Sequence, residues 1–212
     1  MCLSKKNTFR TNRLLQGLVA WIVVLWIITA INPLYPRDWF LENLLVFIYG
    51  ALLVYTYRRF KFSNTSYVLF VVFLSLHLVG AHYTYAETPF GFWIQQFFDL
   101  ERNHYDRIVH FAYGLLCAYP LREVLLRQAK VKLQWSYFLA VSLILAFSAF
   151  YEVLEGVVAM IVSPELGSAY LGTQGDEWDA QKDSFLAFTG AIIAMILTWY
   201  YEKNKYKALL MN

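Results

Sequence analysis

Charge is scarce in this 212-residue chain. Asp, Glu, Lys and Arg make up 16% of it, against roughly 25% in a soluble domain. The chain is also 59% hydrophobic and 19% aromatic, with a mean hydropathy of +0.43. The shortage therefore excludes an ordinary water-soluble fold and points to an integral membrane protein. Cysteine is nearly absent too: only Cys2 and Cys117 occur. One lies near the N-terminus and the other inside an apolar run, so they are not expected to meet and no disulfide framework is read. A phosphate-cradling glycine loop, a Gly-x-Ser-x-Gly turn and a His-Glu-x-x-His helix are all missing, which removes the familiar nucleotide, serine-hydrolase and zinc-protease chemistries. There is no internal repeat, low-complexity stretch or separate soluble segment, so residues 1–212 read as one integral membrane domain. The net charge of +3 is no argument for nucleic acid, because it sums a basic face and an acidic one.

What is present is a series of apolar runs. A helix needs about 18 to 20 apolar residues to cross the hydrocarbon core, and six segments qualify: Leu14 to Ile31, Phe40 to Tyr57, Ser66 to Ala86, Arg107 to Leu126, Trp135 to Val162 and Asp183 to Glu202. The expectation is an all-α bundle of six transmembrane helices. The first run follows a basic segment, Lys5, Lys6, Arg10 and Arg13, yet it is too long for a signal peptide and lacks a small-residue cleavage site. It is read as an uncleaved span. Basic residues stay on the cytoplasmic side, and with the N-terminus inside, 14 of the 18 Lys and Arg residues fall in inner segments, leaving Arg37, Arg102, Arg107 and Lys182 outside. Both termini are expected in the cytoplasm, and the localisation is the bacterial inner (plasma) membrane. The inner loops are short and basic. The outer ones are longer and aromatic, and "IQQFFDL" is expected to form a short helix in the headgroup region.

The polar residues inside the spans gather on one side. All four histidines, His77, His82, His104 and His110, fall in the outer half on this topology. Asp106 and His110 are four apart on span four and share a face; Glu152 and Glu155 are three apart on span five. Span six opens with Asp176, Asp179 and Asp183 at spacings of three and four. Intramembrane carboxylates are costly and face a bundle interior or a wet cavity. The expectation is one outward-facing polar site to which four spans contribute. Blander readings exist: Asp106 with Arg107 as an interfacial ion pair, His77 as a hydrogen-bonded core histidine, and Asp176 and Glu177 as solvated caps.

Such a set suits a divalent metal, Zn, Mn or Mg, held by a subset of Asp106, His110, Glu152, Glu155, Asp176, Asp179, Asp183, His77 and His82. Glu152, Glu155 and Asp183 are the candidate catalytic groups. A metal with an open position activates water or neutralises a phosphate, so a metal-dependent membrane hydrolase or transferase, binding or cleaving a lipid-linked or envelope substrate, is the first reading. Membrane lipids are the other expected partners. A proton- or ion-coupled transporter is the alternative, although the inner half shows no matching polar residues. A structural or assembly protein, in which the cluster only ties helices together, is the third.

"NHYDRIVHFAYGLL", "YEVLEG" and "GTQGDEWDAQKDSFLAFTGA" together resemble the signature of the YjdF-type family of uncharacterised bacterial inner-membrane proteins, over nearly the whole chain. The order of an Asp-x-x-x-His-Phe helix, a Glu-bearing helix and an Asp-containing helix ending in Gly-Ala is more distantly similar to VanZ-like membrane proteins. That similarity implies motif positions at Asp106, His110, Glu152 or Glu155, Asp183 and Gly190. Where VanZ-like proteins commonly carry Asp-Lys, this chain has Asp106 followed by Arg107.

Overall fold

The computed structural model describes residues 8–210, with side chains to residue 204. Cys2, Lys5 and Lys6 lie outside the described residues, as do the side chains of Lys205 and Lys207. Every regular element among the described residues is helical: α1 (Arg13–Thr29), α2 (Pro36–Thr56), α3 (Asn64–Tyr83), α4 (Pro89–Phe97), α5 (Tyr105–Arg127), α6 (Leu133–Ile161), α7 (Pro164–Leu171) and α8 (Asp179–Leu210). Four of these, α2, α3, α6 and α8, are long and apolar enough to cross a membrane by length and composition. α1 is apolar but has 17 residues. α5 has 23, with Asp106, Arg107, Arg122, Glu123 and Arg127 diluting its apolar character. The six long helices occupy the six expected spans, with ends displaced by a few residues except in α8, which begins at Asp179 and continues eight residues past Glu202. α4 overlaps "IQQFFDL" but ends at Phe97. α7 was expected as loop.

Local chemistry sets these boundaries. Asn12 and Ser63 accept hydrogen bonds from the Leu15 and Ser66 amides at 3.1 and 3.2 Å, capping α1 and α3. Pro36, Pro89 and Pro164 sit at the first position of α2, α4 and α7, where a missing N–H costs nothing. α7 forms because Ser163 and Pro164 restart a helix where α6 stops, and Gly172 at φ +58° ends it.

The bundle is inside-out by the standard of a soluble protein. Its outer surface is apolar, with Ile48, Val54, Phe138 and Ile161 more than 60% exposed. Its interior holds Asp38, Glu42, Asn43, His77, Arg102, Arg122 and Asp183 nearly sealed from solvent. That distribution suits a lipid surround, which solvates hydrocarbon and offers polar groups nothing. α5 is the central element, packed against α3, α6 and α8. Its contact with α8 is backbone against backbone: a Cβ on Gly114 would strike the Ala187 carbonyl, and one on Gly190 the Phe111 carbonyl. Ala118, Ala187 and Ala191, all fully buried, continue this seam of small residues, the usual means of close helix approach in membranes.

One end of the bundle is tied by polar groups that span reasoning did not foresee. Arg122, 2% exposed, donates to both Glu202 oxygens at 2.9 Å and to Ser136 Oγ at 3.0 Å. Its guanidinium also lies 4.0 Å from the Tyr137 ring centroid. Nearby, Glu123 accepts from Ser63 N, Ser66 Oγ and Arg127. The expectation that this half of the bundle lacks polar residues is corrected: Arg122, Glu123 and Glu202 lie in it, each bonded.

Candidate functional site

At the opposite end of α5, Asp106 and His110 stand one turn apart. His110 Nε2 lies 3.5 Å from Asp106 Oδ1 and 3.4 Å from Glu152 Oε1 on α6. Asp183 enters from α8, and one ligand atom from each of Asp106, His110 and Asp183 falls within 4.8 Å of the others. Glu155, one turn along α6, lies within electrostatic reach of Glu152 and Glu42. The glycine seam explains the convergence, because bringing the α5 and α8 backbones into contact at Gly114 and Gly190 sets Asp183 against Asp106 and His110 about two turns away. Asp183 Oδ1 and Glu152 Oε1 are buried without a hydrogen-bond partner.

Arg102 and Arg107 hold the other aspartates. Arg102 donates to Asp179 Oδ1 at 2.6 Å and to the Thr173 carbonyl at 3.0 Å. Arg107 donates to Asp176, and to Asp179 Oδ1 at 3.3 Å, while Lys182 reaches Asp176 at 2.5 Å. Asn103 and Gln174 bind each other twice, at 3.0 and 2.9 Å. The acidic run before α8 is thus half site and half clasp. Asp183 faces the cluster, whereas Asp176 and Asp179 fasten the segment preceding α8 to the segment preceding α5. Lys182, the Trp178 amide and Arg107 hold the Asp176 carboxyl down at about 2. Burial, together with Arg107 and Arg102, lowers the His104 pKa; Arg107 donates to its Nδ1 at 3.2 Å.

Four expected site residues therefore stand outside the cluster. Asp176 lies before α8 rather than on it, and it and Asp179 are consumed by arginine and lysine. His77 donates through Nε2 to the Glu42 carbonyl at 3.1 Å and accepts at Nδ1 from the Tyr85 hydroxyl at 2.5 Å. With both nitrogens taken by protein, it is the core histidine of the blander reading. Thr84 and Tyr85, at φ +57° and +54°, make this possible, at a backbone cost on the order of 1 kcal/mol each. They fold the chain back so that the Tyr85 ring covers Gly80, where a Cβ would sit 2.6 Å away. His82 donates to the Thr29 carbonyl at 2.9 Å, joining α3 to the end of α1.

The cluster also has neighbours that sequence reasoning missed. α2 brings Asp38 and Glu42, 0% and 2% exposed; Glu42 Oε2 accepts from Tyr151 at 3.2 Å and lies within electrostatic reach of Asp106 and Glu155. The signal was present: "DWFLE" spaces two acids by four, as "DRIVH" spaces Asp106 and His110. Starting span two at Phe40 cut Asp38 away from it. Asp106, Glu152, Glu155 and Asp183, with Glu42 beside them, thus bring five carboxylates from four helices together; His110 lies among them, and Arg102 and Arg107 are within electrostatic reach of Asp106.

Residues 14–204 match the family described as "Predicted membrane protein (DUF2238)". The chain is 36% identical over 176 residues to "Inner membrane protein YjdF" of Escherichia coli (strain K12), covering 82% of this chain and 84% of that relative. No solved structure matches. The YjdF-type resemblance is upheld by these matches, whereas the similarity to VanZ-like proteins is not shown by them.

Proposed function

This chain belongs to the DUF2238 family of predicted membrane proteins, and from that premise we propose that it is a six-span inner-membrane protein holding a divalent cation on its outer side. The location is that of the relative named above. The six spans are the four apolar helices together with α1 and α5, and both termini are cytoplasmic. The end carrying Arg58, Arg59, Arg127, Lys130 and Lys132 then faces inward, as basic residues prefer.

The observation that carries the metal reading is the meeting of Asp106, His110 and Asp183 within 4.8 Å, with the buried Glu152 3.4 Å from His110. Several carboxylates and one imidazole cannot share a dry interior unless protons or cations offset their charge. The unpartnered oxygen of Asp183 is the group a cation would satisfy. One nitrogen with two or three carboxylate oxygens fits Mn, Zn or Mg, and a cation there supplies Lewis acidity toward a phosphate or amide oxygen and lowers the pKa of bound water. Asp106, His110 and Asp183 are the holding groups; Glu152 is the group placed to take a proton from the attacking water. The substrate class is a lipid-linked or envelope molecule that reaches the outer leaflet.

The test is elemental analysis of purified full-length protein, as isolated and after reconstitution with Mn, Zn and Mg in turn. At least one equivalent is expected, falling by half or more in Asp183→Asn while the protein stays monodisperse in detergent. Wild-type protein that holds no stoichiometric ion under any of these conditions refutes the proposal.

A further inference from the structure

Far from the carboxylates, where α1 begins and α2 passes into α3, the chain encloses a cavity of about 270 Å³. Its lining includes Asn12, Leu15, Tyr57, Lys61, Asn64 and Tyr67 and holds no carboxylate. The two segments that wall it, residues 8–16 and 57–67, carry Arg10, Arg13, Arg58, Arg59 and Lys61 and neither Asp nor Glu. Glu123, the acid bonded to the second segment, is already spent. It accepts from Ser63 N at 2.9 Å and Ser66 Oγ at 2.5 Å and pairs with Arg127.

Retention of basic residues on the cytoplasmic side accounts for the charge but not for the hollow, because any solvated loop satisfies that bias. Here the loop is held in shape. Arg127 donates to the Lys61 carbonyl at 2.8 Å and sets its guanidinium 4.5 Å from the Phe60 ring centroid. Phe60 meets Phe62 edge-on at 4.7 Å, and Phe62 meets Phe70 of α3 at 5.1 Å. Asn12 Nδ2 donates to Asn64 Oδ1 at 2.8 Å, tying the start of α1 to the start of α3. The Lys61 ammonium lies 5.3 Å from the Tyr57 ring centroid, a cation–π contact that keeps its charge against the cavity wall. A preformed hollow ringed by cations draws an anion at little ordering cost.

Size and position narrow the occupant. The cavity falls just below the roughly 300 to 1,000 Å³ that encloses a whole drug-sized ligand, so it takes a headgroup and leaves a tail outside. Leu14, next to Leu15, and Val54, three residues before Tyr57, are exposed on the apolar outer surface, where acyl chains can lie. We infer that this cavity binds the phosphate-bearing headgroup of an anionic phospholipid, with Lys61 as its counter-charge. Basic pockets at the cytoplasmic ends of transmembrane helices suit such headgroups. The leaflet is the cytoplasmic one on the orientation proposed above; the binding itself depends on neither that orientation nor the metal centre.

Full-length protein, delipidated in a non-ionic detergent and kept in EDTA, is titrated with phosphatidylglycerol, and bound lipid is counted by native mass spectrometry. One tightly held phosphatidylglycerol per chain is expected, with an affinity about tenfold or more above that for phosphatidylcholine, which carries the same phosphate without net charge. Lys61→Gln, at an exposed position that leaves the fold intact, should weaken the binding about fivefold or more. Lys132→Gln, at the same basic end but outside the cavity, should leave it unchanged. Equal losses in the two variants overturn the cavity in favour of the whole basic face. Phosphatidylcholine held as tightly as phosphatidylglycerol, or inorganic phosphate displacing the lipid at equal concentration, overturns an anionic lipid as the occupant. Wild-type protein that retains no phosphatidylglycerol overturns the site altogether, and because EDTA is present throughout, none of these results bears on the metal centre.

Discussion

Replacing Arg102 with Met measures how much the clasp before α8 contributes. Arg102 is 9% exposed and Asp179 4%; they meet at 2.6 Å, and Arg102 also bonds the Thr173 and Gly172 carbonyls at 3.0 and 3.4 Å. Removing one partner of a buried pair costs about 3 to 5 kcal/mol, because the other charge is stranded. Here Arg107 stays 3.3 Å from Asp179 and shares that charge, which lowers the expected loss to about 2 to 3 kcal/mol. Tenfold per 1.4 kcal/mol makes that a factor of about 30 to 150 in the unfolding equilibrium, readable by denaturation in mixed detergent micelles. The double variant Arg102→Met/Asp179→Leu should recover at least half of the loss, since no charge is then left alone. A single variant within about 0.5 kcal/mol of wild type, the size of an exposed pair, or a double variant as damaged as the two single variants combined, refutes the account.

The His104 pKa is lowered below its ordinary 6.5 by burial and by Arg107 and Arg102. Between that depressed value and about 6.5 the unfolded chain therefore binds more protons, and stability should fall as pH drops through the window; His104→Gln should flatten this part of a melting-temperature profile. Asp176 behaves oppositely in cause and at lower pH. Its carboxyl titrates at about 2 in the fold instead of 3.8, so its contribution is full above about 4 and lost toward 2. Asp176→Asn should remove that acid-range component and leave the profile above pH 5 unaltered. Gly114→Val should displace α8 from α5, since the added atoms meet the Ala187 carbonyl; overpacking of this kind costs about 1 to 3 kcal/mol or more, and thermal denaturation in detergent should register it.

The long helices were legible because each apolar run is long and bounded by strong punctuation, Asn12, Pro36 and Ser63 among it. The pairing of Asp106 with His110, and of Glu152 with Glu155, followed from helical period alone, and the depth of Asp183 from topology. Which acids would be neutralised did not follow. Arg102 sits in a loop of no regular period, and only the folded chain shows it spent on Asp179, 77 residues away. The partners of His77 and His82 are carbonyl groups and a tyrosine beyond a left-handed turn, neither of which leaves a spacing to read. Asp38 and Glu42 did leave one, and a boundary drawn on hydropathy concealed it.

The glycine crossing of α5 over α8 makes the two helices a pair of pliers. The rivet is at Gly114 and Gly190, where main chains touch and sliding is blocked. Asp106 and Arg122 each lie eight residues from Gly114, giving two arms of about 12 Å at 1.5 Å per residue. One jaw grips with carboxylates and imidazole; the handles are latched by Arg122 on Glu202. The pair is thus fastened on both sides of the rivet, by main-chain contact at its centre and by side chains toward its two ends.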